Sequence, residues 1–294
     1  MVHFVGAGPG AADLITVRGK KLIEEADVII YAGSLVNPEL LKYAGSDAEI
    51  HDSSRLTLDE VIALMKKADS EGKTVVRLHT GDPSIYGAVR EQMDILDSEK
   101  ISYDSTPGVS SFCGAAAALN MEYTLPGISQ SVIITRMEGR TPVPEGESVE
   151  ALSSHGATMV FFLSAGDIDR LVNKLEAAGM SLDTPCAIVY KATWDDEKKF
   201  ICTLDTLAQT AADNDIHKTA LIIVGKTVAQ TGYEKSKLYA PDFSTEYRPI
   251  KPSPDGGAHR PGDDGFARTE AERRRWPEGP DEGTCNKNIK SEPT

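Results

Sequence analysis

The sequence predicts an α/β protein with two α/β domains, and three observations carry that prediction. Short β-branched runs alternate with amphipathic stretches from residue 1 to about 248, and most of these runs are bounded by Gly, Pro or polar residues. With 40% hydrophobic residues in 294, the chain can also build a sizeable core. Such alternation favours parallel strand pairing.

The runs read as strands are 2–5 (VHFV), 28–31 (VIIY), 74–78 (TVVRL), 131–135 (SVIIT), 158–163 (TMVFFL), 186–190 (CAIVY) and 220–224 (ALIIV). Residues 57–68 (TLDEVIALMKKA) group Val61, Ile62, Leu64 and Met65, with Asp59 and Glu60 at the start and Lys66 and Lys67 at the end, which suits a helix dipole. A second helix is expected over 110–119 (SSFCGAAAAL), small enough to pack tightly on a sheet or to leave room for a ligand. The segment LNMEYTLPG then breaks the pattern, so the expected domains are 1–122 and 123–249. Residues 250–294, rich in Pro, Gly, Asp and Arg, are expected to form a disordered polar tail.

The formal charge is -14, and the tail holds 8 Lys and Arg against 9 Asp and Glu, so the acidity belongs to the body. A surface that tracks nucleic acid needs clustered cations, and none is expected here. The Arg273-Arg274-Arg275 run is flanked by Glu270, Glu272 and Glu278 and reads as a solvated segment. Cys113, Cys186, Cys202 and Cys285 lie far apart with no C-x-x-C pair, no apolar run is long enough to span a bilayer, and the start lacks a signal peptide. These features predict a cytoplasmic protein with reduced thiols and no membrane partner. With no H-E-x-x-H, C-x-x-C or calcium loop, no protein-bound metal is expected.

Gly6-Ala7-Gly8-Pro9-Gly10-Ala11 follows the first strand with G-x-G-x-x-G/A spacing, which invites a dinucleotide-binding reading. Two features argue against it. Pro9 has no amide hydrogen to offer a pyrophosphate, and the second strand ends in Tyr31-Ala32-Gly33, with no carboxylate for a ribose. A tight strand-to-helix turn is the better reading, and a nucleotide- or dinucleotide-binding protein is the alternative from another class.

Further motifs occur in a fixed order: Val5 to Gly10, then Asp13-Leu14-Ile15-Thr16, Leu78-His79-Thr80-Gly81-Asp82-Pro83-Ser84-Ile85-Tyr86-Gly87, Pro107-Gly108-Val109-Ser110-Ser111-Phe112, and Ala220 to Gly225. Over residues 2–248 the chain therefore resembles the tetrapyrrole (corrin/porphyrin) methyltransferase superfamily. Tyr31-Ala32-Gly33-Ser34-Leu35-Val36, His51-Asp52-Ser53-Ser54 and Thr135-Arg136-Met137-Glu138-Gly139-Arg140-Thr141-Pro142 resemble its branch that methylates C11 of precorrin-4 or cobalt-precorrin-4, giving the precorrin-5 level intermediate. Another precorrin carbon or uroporphyrinogen-III is the alternative substrate within the same fold.

The resemblance implies a homodimer of two-domain subunits. S-adenosyl-L-methionine would be held in the cleft between the domains, not over a Rossmann loop, and S-adenosyl-L-homocysteine would be the product. It implies donor contacts at Pro9, Thr80, Gly81, Asp82, Ile85, Ser110, Ser111, Leu163, Ala192, Thr219 and Ala220. For Asp82, which precedes Pro83, helix capping is the competing role. The implied substrate is a corrin-ring precursor with many carboxylates, so Arg136 and Arg140 are the candidate clamps and Arg55 a third. Tyr31, Ser34, Glu138 and Thr141 join them from the same segments. Surface ion pairing, for example of Arg136 with Glu138, is the alternative role. Asp52, Glu122 and His51 are the candidate bases, although an enamine-like ring supplies its own electrons.

Overall fold

The computed structural model describes residues 1–240, 243–245 and 247–248, so the expected tail from 250 lies outside the described residues. Five strands, β1 (Val2–Gly6), β2 (Val28–Tyr31), β3 (Glu49–Asp52), β4 (Val75–His79) and β5 (Tyr103–Thr106), form one sheet in the order β3-β2-β4-β1-β5. All its pairs are parallel. β4 lies in the middle and is buried along its whole length, which is why its sequence is a continuous run.

Helices cover both faces. α1 (Val17–Glu25) sends Ile23 into a cluster with Val5, Ile29, Val76 and Leu78. α2 (Leu58–Ser70) and α3 (Arg90–Ser98) pack Val61, Ile62, Met65 and Leu96 on Val2, Phe4, Val28, Ile30 and Val75. α2 starts at a full capping box: Thr57 Oγ1 accepts from Glu60 N, and Glu60 Oε2 accepts from Thr57 N at 2.7 Å.

β6 (Val132–Arg136), β7 (Thr158–Phe162), β8 (Pro185–Tyr190), β9 (Lys198–Thr203) and β10 (Ala220–Val224) form a second sheet, ordered β6-β7-β10-β8-β9. Only β6 and β7 run parallel. The other pairs are antiparallel, so the expected parallel pairing holds for the first sheet and not for most of the second. Three strands were not foreseen, β3, β5 and β9, and all three lie at sheet edges.

α5 (Val149–Ser153), α6 (Ile168–Ala177) and α7 (Leu207–Asp213) cover one face of the second sheet, burying Val149, Leu171, Leu175 and Leu207 on Phe161, Ile188 and Ile222. The other face is covered by α4 (Ser111–Leu119), whose Ala115 and Leu119 pack on Val160, Ala187, Val189 and Ile223. The small helix after the first sheet thus serves the second, and it stops at Asn120, a residue that tolerates the left-handed φ of 50° found there. Met1–Lys235 holds both sheets in one compact unit. No helix of the described residues is long and apolar enough to cross a membrane.

Phe161 is fully buried between α6 and the sheet. Phe161→Ala is expected to destabilise the protein by about 3–5 kcal/mol, read as a lower denaturation midpoint; a loss under ~1 kcal/mol would contradict this packing.

Candidate functional site

Parallel sheets present ligands at the carboxyl ends of their strands. In the first sheet those ends carry the loops after β1, β4 and β5, and the three loops approach backbone to backbone. Gly8 and Gly81 exchange amide hydrogen bonds of 3.2 and 2.8 Å, and Ala7 N donates to the His79 carbonyl at 2.7 Å. A Cβ on Gly6 would lie 2.5 Å from Gly108 Cα, and one on Gly108 would lie 2.1 Å from the Gly81 oxygen. Only glycine fits at this junction. Gly81 also has φ +60°, in the left-handed region.

Asp82 fastens the junction. Its Oδ2 accepts from Gly108 N at 2.9 Å, while Oδ1 accepts from Ser84 N at 2.8 Å and from the Ser84 hydroxyl. Burial pushes its pKa up, but these hydrogen bonds outweigh burial and hold the carboxyl below the usual range. No α-helix starts beside it, so the helix-capping alternative gives way to a loop-to-loop clasp.

The second sheet contributes the edge formed by the end of β7, the end of β8 and the start of β10. Leu163, Ala192, Thr219 and Ala220 all sit there. Leu163, Lys191, Thr193 and Thr219 have φ of 52°, 46°, 70° and 56°, a region sparsely used by non-glycine residues and an outlier for β-branched threonine. The Lys191 amide donates to the Thr219 carbonyl at 2.9 Å.

Two hydrogen bonds join this edge to the glycine loop: Ala11 N to Thr193 Oγ1 at 3.0 Å, and Trp194 Nε1 to the Pro9 carbonyl at 3.2 Å. Gly10 permits the second contact, since a Cβ there would lie 2.2 Å from the Trp194 ring. Tyr86 and Phe162 add an aromatic contact, with ring centroids 5.5 Å apart. Pro9, Gly81, Asp82, Ser110 and Ser111 are thereby gathered around one junction, with Ala192 beside Gly10.

A cleft of about 290 Å³ opens beside this junction, between the C-terminal part of β4 and α2 and α3. Thr80 and Ile85 line it, together with Ala32, Leu35 and Ser53, neighbours of the predicted Tyr31, Ser34 and Arg55. Its floor includes Arg77, His79 and Gln92, none of them assigned a site role from the sequence, although His79 lies within the motif Leu78 to Gly87. The signal available was the arginine inside the otherwise apolar run TVVRL.

Other predicted residues have different surroundings. Arg136 does not pair with Glu138; its guanidinium donates to the carbonyls of Met137, Thr141 and Pro142, at 3.3, 3.2 and 2.7 Å, and so shapes its own loop. Glu138 instead pairs with Arg170 and, at 2.8 Å, with Lys174. Arg140 and Thr141 are exposed on that loop. Asp52 accepts from Ser54 N at 2.8 Å, and the Ser54 amide and hydroxyl hold its pKa down, which suits a turn cap better than a base. His51 faces a small hollow against α2, with Leu64 and Lys67, and its buried Nε2 has no partner. Glu122 adjoins Tyr123, whose carbonyl accepts from Thr158 at the start of β7, so it sits at the opposite sheet edge from Leu163. The structure does not bring Glu122 to the junction. Among the described residues no group of three or more His, Cys, Asp or Glu side chains is placed to hold a metal ion.

Residues 1–208 match the Tetrapyrrole (Corrin/Porphyrin) Methylases. The chain is 53% identical over 247 residues to the cobalt-precorrin-4 C(11)-methyltransferase of Methanocaldococcus jannaschii, covering 84% of this chain and 95% of that protein. It is 44% identical to the precorrin-4 C(11)-methyltransferase of a Sinorhizobium species, covering 84% and 98%. Among solved structures, a cobalt precorrin-4 methyltransferase of cobalamin biosynthesis superposes with TM-score 0.76 at 44% identity, covering 77% and 95%. The uroporphyrin-III C-methyltransferase of Thermus thermophilus, complexed with S-adenyl homocysteine, shares the fold, with TM-score 0.66 at 23% identity, covering 78% and 99%.

Two outcomes test this geometry. Gly108→Ala is expected to cost ~2 kcal/mol or more, because only backbone surrounds the added methyl, whereas Gly139→Ala, with nothing within 4 Å, should be silent; equal melting shifts would refute the close approach. The pKa of His79 falls from 6.5 to about 3, through burial first and the Arg77 charge second. Below pH 6.5 the unfolded chain binds a proton that the folded one refuses, so stability falls with pH down to about 3. The slope reaches ~1.4 kcal/mol per pH unit, and His79→Gln should flatten it between pH 4 and pH 7, as read by denaturant titration.

Proposed function

The chain belongs to the tetrapyrrole (corrin/porphyrin) methylases, and from that membership we propose that it is an S-adenosylmethionine-dependent methyltransferase acting on C11 of precorrin-4 or cobalt-precorrin-4. The observation that carries this reading is the 53% identity to a C11-methyltransferase over 84% of the chain. The glycine junction fits the donor. Its loops meet backbone to backbone, so main-chain groups rather than side chains form the junction, and the loops after β7 and β8 carry left-handed residues at the facing edge.

When bound, S-adenosylmethionine supplies a methyl group on a sulfonium. The protein's part is alignment, because an in-line displacement requires the accepting carbon, the methyl and the sulfur to be collinear. Gly81, Ala192 and Ala220 permit close backbone approach to the donor, and Pro9, Thr80, Ile85, Ser110, Ser111, Leu163 and Thr219 complete its surround. Asp82 acts through the loop it clasps, since both its oxygens already accept hydrogen bonds within the protein. The cleft lined by Thr80 and Ile85 receives an edge of the macrocycle, with Tyr31, Ser34 and Arg55, sequence neighbours of its lining residues Ala32, Leu35 and Ser53, as further contacts and Arg140 as an outer clamp. Arg136 supports that clamp by folding the 136–142 loop. Electrons for the new carbon–carbon bond would come from the conjugated ring as the methyl–sulfur bond breaks and S-adenosylhomocysteine leaves. The ring then sheds a proton to water, while Asp52, held ionised by the Ser54 amide and hydroxyl, serves as a turn cap.

The division near residue 122 belongs to this reading: every strand of the first sheet precedes it and every strand of the second follows. So do a cytoplasmic setting, consistent with the free thiols of Cys113, Cys186 and Cys202, a homodimeric state and the lack of a resident metal.

S-adenosylhomocysteine, but not NAD or ATP, is expected to raise the melting temperature. Labelled donor should pass its methyl to C11 of the metal-free or cobalt-bearing substrate; a product methylated at another carbon would refute the assignment. Arg140→Gln should raise the tetrapyrrole KM ~10-fold, the value of one charge-assisted contact, while leaving S-adenosylhomocysteine affinity unchanged.

A further inference from the structure

Along β4, the residues facing α2 and α3 are Val75, Arg77 and His79 in turn. The apolar face of the first sheet thus ends in a guanidinium and an imidazole. Arg77 is 7% exposed and His79 5%, and both line the cleft.

Arg77 Nε donates to Gln92 Oε1 at 3.2 Å, and Nη1 donates to the Ile30 carbonyl at 3.1 Å. Both acceptors are neutral. No carboxylate among the described residues pairs with this guanidinium, and burial alone draws its pKa down to about 10. Gln92 is fixed in turn, its Nε2 donating to the Ala88 carbonyl at 3.0 Å. His79 Nε2 is buried without any hydrogen-bond partner. Glu91, the one acid among the lining residues, is exposed on α3 and forms no ion pair with Arg77. Buried cations are otherwise paired, and buried ring nitrogens otherwise bonded.

We propose that Arg77, braced by Gln92, and His79 form a carboxylate subsite on the cleft floor, which takes one acetate or propionate arm of the tetrapyrrole and sets the ring's register against the methyl donor. This rests on the methyltransferase reading for the identity of the ligand. The chemistry is that of the floor itself. A guanidinium with two of its five N–H donors already fixed presents the others without further ordering, and a carboxylate supplies the missing counter-charge. A neutral imidazole adds one N–H at the same place. The cleft volume of about 290 Å³ is ample for one carboxylate arm beside Arg77 and His79.

The test uses the full chain with Arg77→Gln, Arg77→Lys and His79→Gln. KM for the C11 substrate, uroporphyrin III binding by fluorescence quenching, S-adenosylhomocysteine affinity and melting temperature are all read. Arg77→Gln should raise KM and weaken uroporphyrin binding ~10-fold or more, and His79→Gln should do so ~3-fold. Arg77→Lys should recover part of the loss, and S-adenosylhomocysteine affinity should stay within about twofold in every variant. If Arg77→Gln fails to fold, the lysine and His79 variants decide the matter. Tetrapyrrole affinity unchanged in folded variants, or donor and tetrapyrrole affinity falling together, would overturn the subsite. A wild-type protein that methylates no tetrapyrrole but binds uroporphyrin through Arg77 would refute the reaction and keep the subsite.

Discussion

Everything at the site depends on three backbone segments meeting where no side chain can stand. Gly6, Gly81 and Gly108 bring the loops after β1, β4 and β5 into direct contact, and Asp82 locks the last two together. Strand order makes this possible, because β4 and β5 flank β1 in a parallel sheet and deliver all three loops to one edge. A methyl group at Gly108 would displace the Gly81 carbonyl, and with it the Gly8–Gly81 pairing and the wall of the cleft.

Much of this was legible in the sequence, for reasons that separate by element. The central strands are buried on both faces and so appear as apolar runs, as in VVRLH and ALIIV. The edge strands EIHD, YDST and KKFICT are half exposed and carry no such run. Strand direction in the second sheet was invisible, since an antiparallel core strand such as Ile222 to Val224 is as apolar as a parallel one. Glycines at the junction were legible as a motif, but their role as a three-way contact required the fold.

The charged residues were less legible, because a sequence shows a charge and not its partner. Arg136 read equally well as a clamp or an ion pair, and its actual partners are carbonyls of its own loop. Glu122 read as a candidate base and lies at the opposite sheet edge from Leu163. Arg77 was hidden by its apolar neighbours, although a lone arginine in a central strand is itself unusual. In a chain of net charge -14, the deepest cation stands without a carboxylate partner among the described residues.

The hydrogen bonds from Ala11 to Thr193 and from Trp194 to Pro9 tie the glycine loop to the second sheet before any small molecule arrives. The ordering entropy of this seam is therefore lost during folding, not during association. A pocket prepared in this way admits ligands along the open side of the cleft and does not need to swallow them by hinge closure.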